Sequence, residues 1–302
     1  MSHLNASKLF SVEGKVVIVT GGGSGIGRLM THALDANGAS KIFIIGRRLE
    51  PLQETATTST NGSQTIIPVQ GDISSKESLE AAYKTIAAQT DHVDILIANS
   101  GIIGKESRPP PPKPDGTQPT LSEVRESLWA VPKENFNEVF DVNVAGTYFT
   151  ILAFLPLLEA ANKQRPAPVK GKLAAPTAQV IVTTSIAGFM RKVPWNTAYN
   201  LSKAATNHLV RMFSTILCDY DIRVNGIAPG VFLSEMSAPY FGDDKKISDG
   251  SFPKELIPLT RAGADEDMAG LILYMTGAAG GYLNGHIAVV DGGRLVHVPA
   301  TL

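Results

Sequence analysis

The 302-residue chain has one cysteine, Cys218, so no intramolecular disulfide can form and burial and hydrogen bonding must hold the fold. That cysteine closes the run Phe213-Ser214-Thr215-Ile216-Leu217-Cys218, which reads as one face of a helix, and a small buried hydrophobe is the expectation there. An excess of charge of either sign is also missing. The 27 Lys and Arg stand against 28 Asp and Glu, a net charge of −1 that offers nucleic acid no basic surface. Uninterrupted apolar runs of about 18 residues are absent, which argues against a membrane span. The first fourteen residues hold no apolar stretch of signal-peptide length, so a cytoplasmic protein is expected. His3, His32, His92, His208, His286 and His297 show no metal-ligand spacing such as HExxH, and no metal site is expected. With 43% hydrophobic and 18% charged residues, the chain has the composition of an ordinary globule with a substantial core.

What is present is a rhythm of short apolar runs and helical patterns. Residues 15–20 (KVVIVT) lie between glycines and suit a strand buried on both faces of a parallel sheet. A helix follows at 25–37, then a strand at 41–45, a helix at 49–58, a strand at 65–69 and a helix at 76–89. Strands at 94–98, 179–184, 223–228 and 287–290, with helices at 133–161, 198–220 and 265–276, continue the alternation. The pattern predicts an α/β fold, doubly wound, with a mainly seven-stranded parallel sheet flanked by helices and one domain over residues 1–302.

Two segments interrupt it. Residues 103–122 carry Pro109-Pro110-Pro111-Pro112 and Pro114, which fix φ and remove amide donors, so an extended loop is expected. This proline-rich insertion follows the strand ending at Ala98 and so emerges on the ligand side, outside the carboxyl ends of the strands. A lid and a plain solvated loop both fit it. The second insertion, residues 163–176, precedes the strand at Gln179 and is expected at the surface on the opposite side.

The first strand runs into Thr20-Gly21-Gly22-Gly23-Ser24-Gly25-Ile26-Gly27. Glycines at 21, 25 and 27 let the backbone turn and approach a pyrophosphate, while the amides opening the next helix offer donors and a partial positive charge. The second strand ends at Ile44-Ile45-Gly46-Arg47-Arg48. No carboxylate stands there to bind a ribose 2′-hydroxyl, whereas Arg47 and Arg48 suit a 2′-phosphate, so NADP is favoured over NAD. The plain alternative is two solvated arginines at a helix start. Gly71-Asp72-Ile73 and Asn99-Ser100-Gly101 follow the third and fourth strands, where adenine and ribose would rest. Asp72 also reads as a helix N-cap.

Fourteen residues after Ser185 comes Tyr199, and one helical turn later Lys203, so the phenol and the ammonium share a helix face. A ketone accepting hydride develops negative charge on oxygen and needs a proton donor within reach. A free phenol, with a pKa of about 10, is a reluctant relay at neutral pH, and a nearby cation favours its ionised form. Taken singly, Tyr199 and Lys203 also read as a packed aromatic beside a solvated charge, Ser185 as a strand end and Asn143 as a turn cap.

In their order over residues 14–293, the elements Thr20-Gly21 with Gly25-Ile26-Gly27, Asp72, Asn99 with Gly101, Asn143, Ser185, Tyr199 with Lys203, and Pro229-Gly230 resemble the short-chain dehydrogenase/reductase family. The resemblance implies a Rossmann fold with Asn143, Ser185, Tyr199 and Lys203 as catalytic residues. It further implies that Ser185 holds the substrate oxygen, that Asn143 supports the lysine through water, and that Tyr199 and Lys203 also meet the cofactor, the lysine at the ribose hydroxyls. Cofactor contacts are expected at Gly21, Ser24, Gly25, Ile26, Gly27, Arg47, Arg48, Asp72, Ile73, Asn99, Gly101, Pro229, Gly230, Phe232 and Ser234. Two departures are mild: Ser100 stands where the family usually has alanine, and Ser234 where a threonine commonly contacts the carboxamide.

The implied activity is NADP(H)-dependent hydride transfer between nicotinamide and a carbonyl/alcohol pair on a small molecule. The segment 231–257 is expected to close over the substrate, with Met236, Pro239, Tyr240, Phe241, Phe252 and Leu256 in it and Phe189, Met190 and Trp195 nearby. These side chains favour an apolar or aromatic ketone, of 3-oxoacyl or secondary-metabolite type. Arg191 and Lys192 leave a charged or carrier-bound substrate open. A dinucleotide-binding redox sensor without turnover, or another reaction of the same site such as imine or double-bond reduction or epimerisation, remains an alternative. The family also implies a homodimer or homotetramer, built through the helices at 133–161 and 198–220 and the last strand.

Overall fold

Seven short runs rich in Val and Ile become the strands of one sheet in the computed structural model, which describes residues 4–235, 237 and 246–301. They are β1 Val16–Thr20, β2 Lys41–Gly46, β3 Ile66–Gln70, β4 Ile95–Ala98, β5 Gln179–Thr183, β6 Arg223–Pro229 and β7 Ile287–Val290. All pair in parallel, in the order β3-β2-β1-β4-β5-β6-β7. The helices are α1 Ala6–Leu9, α2 Gly25–Ala36, α3 Leu49–Thr57, α4 Lys76–Ala87, α5 Leu121–Trp129, α6 Lys133–Phe140, α7 Thr147–Lys163, α8 Thr197–Ile216 and α9 Asp265–Thr276. Met236, Pro239, Tyr240 and Phe241, expected in the substrate segment, lie outside the described residues.

The sheet is buried on both faces because successive side chains of a strand point to opposite sides. In β1, Val16 and Ile18 join Phe43, Phe154 and Val210 in one core, under α4, α7 and α8. Val17 and Val19 join Met30, Leu34, Ile44 and Met268 in the other, under α2 and α9. The chain winds outward from β1 to β3 and then returns to lay β4 on the other side of β1. That reversal opens a crevice at the carboxyl ends of β1 and β4.

Three expectations change. The single helix at 133–161 is α6, a π-helical turn Asp141–Gly146, and α7. Asn143 lies in that wider turn, its side chain bonded to Ile102, the residue just before the insertion, and to Ser202. The extended loop at 103–122 ends early, because Thr120 and Glu123 form a capping box that starts α5, and Ser122 is already helical. α8 stops at Ile216, and Cys218 then opens a 3-10 turn ending at Asp221 with φ 55°, so the thiol is exposed rather than buried. The expectation of no uninterrupted apolar run stands, although the stretch Lys133–Lys163 contains an 18-residue window of mean hydropathy 1.6, enough by length and composition to cross a membrane. Its buried side chains, among them Ile151, Phe154, Leu157 and Leu158, belong instead to the core against the sheet.

The insertion after α7 joins the carboxyl end of that helix to the start of β5, on the side of the sheet away from the crevice. Asn162 accepts a hydrogen bond from the Ala178 amide at 2.8 Å, and the Arg165 guanidinium donates to the Ala175 carbonyl.

Candidate active site

The crevice is a cleft of ≈ 330 Å³ running from the α3 start, past the glycine turn, to the head of α8. Thr20 closes its floor: the hydroxyl accepts from the amides of Asn99 and Ser100 at 2.9 and 3.0 Å, and the Asn99 side chain donates to the Thr20 carbonyl at 3.0 Å. Gly21 has φ 71° and Gly25 φ 50°, both in the left-handed region that favours glycine. A Cβ on Gly25 would enter the space before the helix and meet Ser234 at 2.9 Å. Gly27 faces inward, where a Cβ would sit 2.2 Å from the Gly21 carbonyl. Ser24 and Gly25 thus present the unpaired amides of the α2 N-terminus to the cleft, a cradle that fits a pyrophosphate.

Around this cradle, Gly21, Ser24, Gly25, Ile26, Arg47, Arg48, Asp72, Ile73, Asn99, Gly101, Pro229, Gly230, Phe232 and Ser234 all line the cleft, with Ser185, Tyr199 and Lys203. Gly27 and Asn143 do not, and stand one layer behind. Asp72 is not the cap of α4. Ser75 holds that place, accepting from the Ser78 amide, while Asp72 accepts from the Ser74 amide and hydroxyl at 2.9 and 2.7 Å. Burial alone would raise its pKa, but those bonds and the Arg47 charge hold it below the usual carboxylate range. At the end of β2, Arg48 forms an ion pair with Glu235 at 2.7 Å across the cleft mouth, and Arg47 lies exposed beside it.

At the opposite end, Ser185 follows β5 and begins a 3-10 turn, its Oγ accepting from the Ala187 amide at 3.1 Å. Tyr199 stands in the first turn of α8 and Lys203 one turn on. The Lys203 Nζ is buried, donates to the Thr183 carbonyl at 2.9 Å and lies 5.8 Å from the centre of the Tyr199 ring. Burial pushes its pKa down to about 8, which leaves the ammonium charged at neutral pH. Behind it, Asn143 accepts from the Ile102 amide at 2.8 Å and donates to the Ile102 carbonyl and the Ser202 hydroxyl. Ser202 in turn donates to the Tyr199 carbonyl at 2.8 Å. A Cβ on Gly101 would fall 3.1 Å from Asn143 Oδ1 and 3.6 Å from Lys203 Nζ, so glycine there lets the three groups converge.

Thr183, Ser202 and Glu235 also belong to the site, and nothing in the sequence marks them. Thr183 acts through a backbone carbonyl, which no residue type advertises, and Ser202 is one unremarked letter between Tyr199 and Lys203. Phe189, Met190, Trp195, Phe252 and Leu256 do not line the cleft. Phe189 is buried, and Phe252 packs with Ile257 and Ala262 in a small separate core. A hydroxyl, a phenol and an ammonium at one end, amide donors midway and guanidinium groups at the other match the layout of a nicotinamide dinucleotide.

Comparison with known proteins agrees. Residues 15–245 match the family model for short chain dehydrogenase. The short-chain dehydrogenase/reductase PhomF of Diaporthe leptostromiformis is 42% identical over 298 residues, covering 99% of this chain and 97% of the relative. The rhamnolipids biosynthesis 3-oxoacyl-[acyl-carrier-protein] reductase of Pseudomonas aeruginosa is 31% identical, covering 94% and 97%. Among solved structures, the Pseudomonas aeruginosa RhlG/NADP active-site complex superposes with a TM-score of 0.76 at 29% identity, covering 95% of this chain and 98% of that one. The chain therefore belongs to the short-chain dehydrogenase/reductase family, as an oxidoreductase acting on CH–OH and C=O groups with a nicotinamide cofactor.

Proposed function

We propose that the protein is an NADP(H)-dependent ketone reductase in which Tyr199 donates the proton, Ser185 holds the substrate oxygen, Lys203 tunes the phenol and Asn143 orients the surrounding backbone. The observation that carries this reading is the buried ammonium of Lys203, fixed on the Thr183 carbonyl beside the Tyr199 ring in the same cleft as the glycine cradle. When bound, the nicotinamide supplies the hydride. The Tyr199 hydroxyl then protonates the carbonyl oxygen as negative charge builds on it, while the Ser185 hydroxyl donates a hydrogen bond to the same atom. A cation next to the phenol favours the phenolate that proton transfer leaves behind.

Arg47 and Arg48 support NADP over NAD, since both line the cleft and no carboxylate follows β2. Ile102, Val142 and Phe232 line the cleft as well and support an apolar ketone, of 3-oxoacyl or secondary-metabolite type. On α7 and α8, exposed Tyr148, Leu152, Leu201, Met212 and Ile216 support a homodimer or homotetramer, which light scattering tests.

The decisive experiment follows NADPH absorbance with a panel of 3-oxoacyl thioesters and of cyclic and aromatic ketones, using the wild type and Tyr199→Phe. Turnover lost in the variant with NADPH binding retained is the expected result. Substantial residual reduction overturns the assignment, and tight NADPH binding with no ketone reduced by the wild type favours a sensor.

A further inference from the structure

Resting on the assignment of Tyr199 as proton donor, we propose that Asn196 is a positioning residue for that tyrosine, and that through it the proline-rich insertion sets the catalytic end of α8. Asn196 is 3% exposed and its amide works in two directions. The Oδ1 atom accepts from the Tyr199 amide at 3.0 Å and so caps the helix, while Nδ2 donates to the Lys105 carbonyl of the insertion. The cap therefore falls on the backbone of the residue that carries the phenol.

The junction is reinforced on both sides of Asn196. Ser107 donates its amide to the Trp195 carbonyl at 2.9 Å, and its own carbonyl accepts from the Thr197 amide at 2.8 Å and the Thr197 hydroxyl at 2.9 Å. Arg108 donates to the Pro194 carbonyl at 3.2 Å. Three residues earlier than Lys105, Ile102 is held by Asn143. The start of the insertion thus runs between two buried asparagines, one behind Lys203 and one under Tyr199. Gly104, with φ 73°, makes this fit possible: a Cβ there would lie 2.5 Å from Val139 and 2.8 Å from the Asn196 Nδ2. The insertion is accordingly a fixed wall tied to the catalytic helix at this end, whatever its prolines do further out.

The test compares Asn196→Ala, Asn196→Ser and Gly104→Ala with the wild type, using the best ketone of the panel and an independent NADPH fluorescence titration. Asn196→Ala removes cap and tie together and is expected to lower kcat about ten- to hundredfold, because small misplacement of a reacting group is costly. NADPH affinity should stay within about threefold, since the cradle at α2 is untouched. Serine caps helices well but is too short to reach Lys105, so Asn196→Ser should recover most of kcat while KM for the ketone stays raised. Gly104→Ala disturbs the junction from the insertion side with Asn196 intact, and should lower kcat or raise KM. Wild-type kcat in Asn196→Ala, a loss there that serine does not restore and that NADPH binding shares, or wild-type constants in Gly104→Ala would each overturn the proposal. If Tyr199→Phe is inactive while Asn196→Ala is normal, only this inference fails; an active Tyr199→Phe removes the reading beneath it.

Discussion

Removing the Arg47 guanidinium should weaken NADPH binding while sparing NADH more selectively than any other single change at the cleft. Arg48 already has a partner, Glu235 at 2.7 Å, and a 2′-phosphate reaching for it must compete with that carboxylate. Arg47 is not in that pair, and its charge acts across the cleft on Asp72. A charge-assisted contact between a guanidinium and a phosphate is worth more than a neutral hydrogen bond, but exposure discounts it to about 1–2 kcal/mol. Arg47→Ala should therefore weaken NADPH binding about 5- to 30-fold while NADH binding changes less than about twofold. Fluorescence titration of both cofactors, repeated at low and high salt, measures this, and the proposed advantage of NADPH over NADH should shrink as salt rises. Arg48→Ala should cost less, and Glu235→Gln should improve NADPH binding by releasing Arg48. An equal loss for both cofactors in Arg47→Ala, or none for either, refutes the reasoning.

Lys203 should leave a trace in stability as well as in turnover. Its folded pKa is about 8, below the unfolded value, so between the two the unfolded chain keeps a proton the folded one has lost, and stability rises with pH. Urea unfolding should show Lys203 adding about 2 kcal/mol between pH 7 and pH 9.5, a rise that Lys203→Met lacks. Two glycines should respond oppositely to alanine. Gly27→Ala drives a Cβ to 2.2 Å from the Gly21 carbonyl, backbone against backbone, and should abolish cofactor binding and lower the melting temperature. Gly270, within α9 with nothing inside 4 Å of its would-be Cβ, should gain about 1 kcal/mol as alanine in the same melting experiment. Cys218 should react with a thiol reagent in the native protein without loss of turnover, being exposed and lying beyond the far end of α8, whose axis runs about 26 Å from Tyr199 to Ile216 at 1.5 Å per residue. A slow reaction, or one that inactivates, counts against the exposed position.

The sheet and the Ser/Tyr/Lys arrangement were legible because each rests on a local rule. A strand buried on both faces must be a continuous apolar run, so β1 and β2 announce themselves, and a phenol and an ammonium one helical turn apart share a face wherever the helix lies. The π-helical turn obeys no local rule. Residues 141–146 read as ordinary helix, and what distinguishes them is Asn143 bonding to Ile102, some forty positions away, a partner that only the fold supplies. The Arg48–Glu235 pair and the Asn196–Lys105 bond are invisible for the same reason. α5 is a different case. Its capping box stood in the open at Thr120 and Glu123, but the proline cluster before it, Pro109 to Pro112 and Pro114, set the expectation of a loop, and none of its residues is buried to give it a strong apolar stripe. Cys218 was missed because the helix expected to reach residue 220 stops four residues short, at Ile216, and the thiol falls in the 3-10 turn beyond it, where it is exposed. Chemistry carried by side-chain spacing within one element was thus readable, and chemistry set by contacts between elements was not. The second kind holds Tyr199 and Lys203 in place, through Asn196 from the insertion, Ser202 from Asn143, and the Thr183 carbonyl from β5. Substitutions at those supports should therefore alter catalysis without touching any residue of the motif itself.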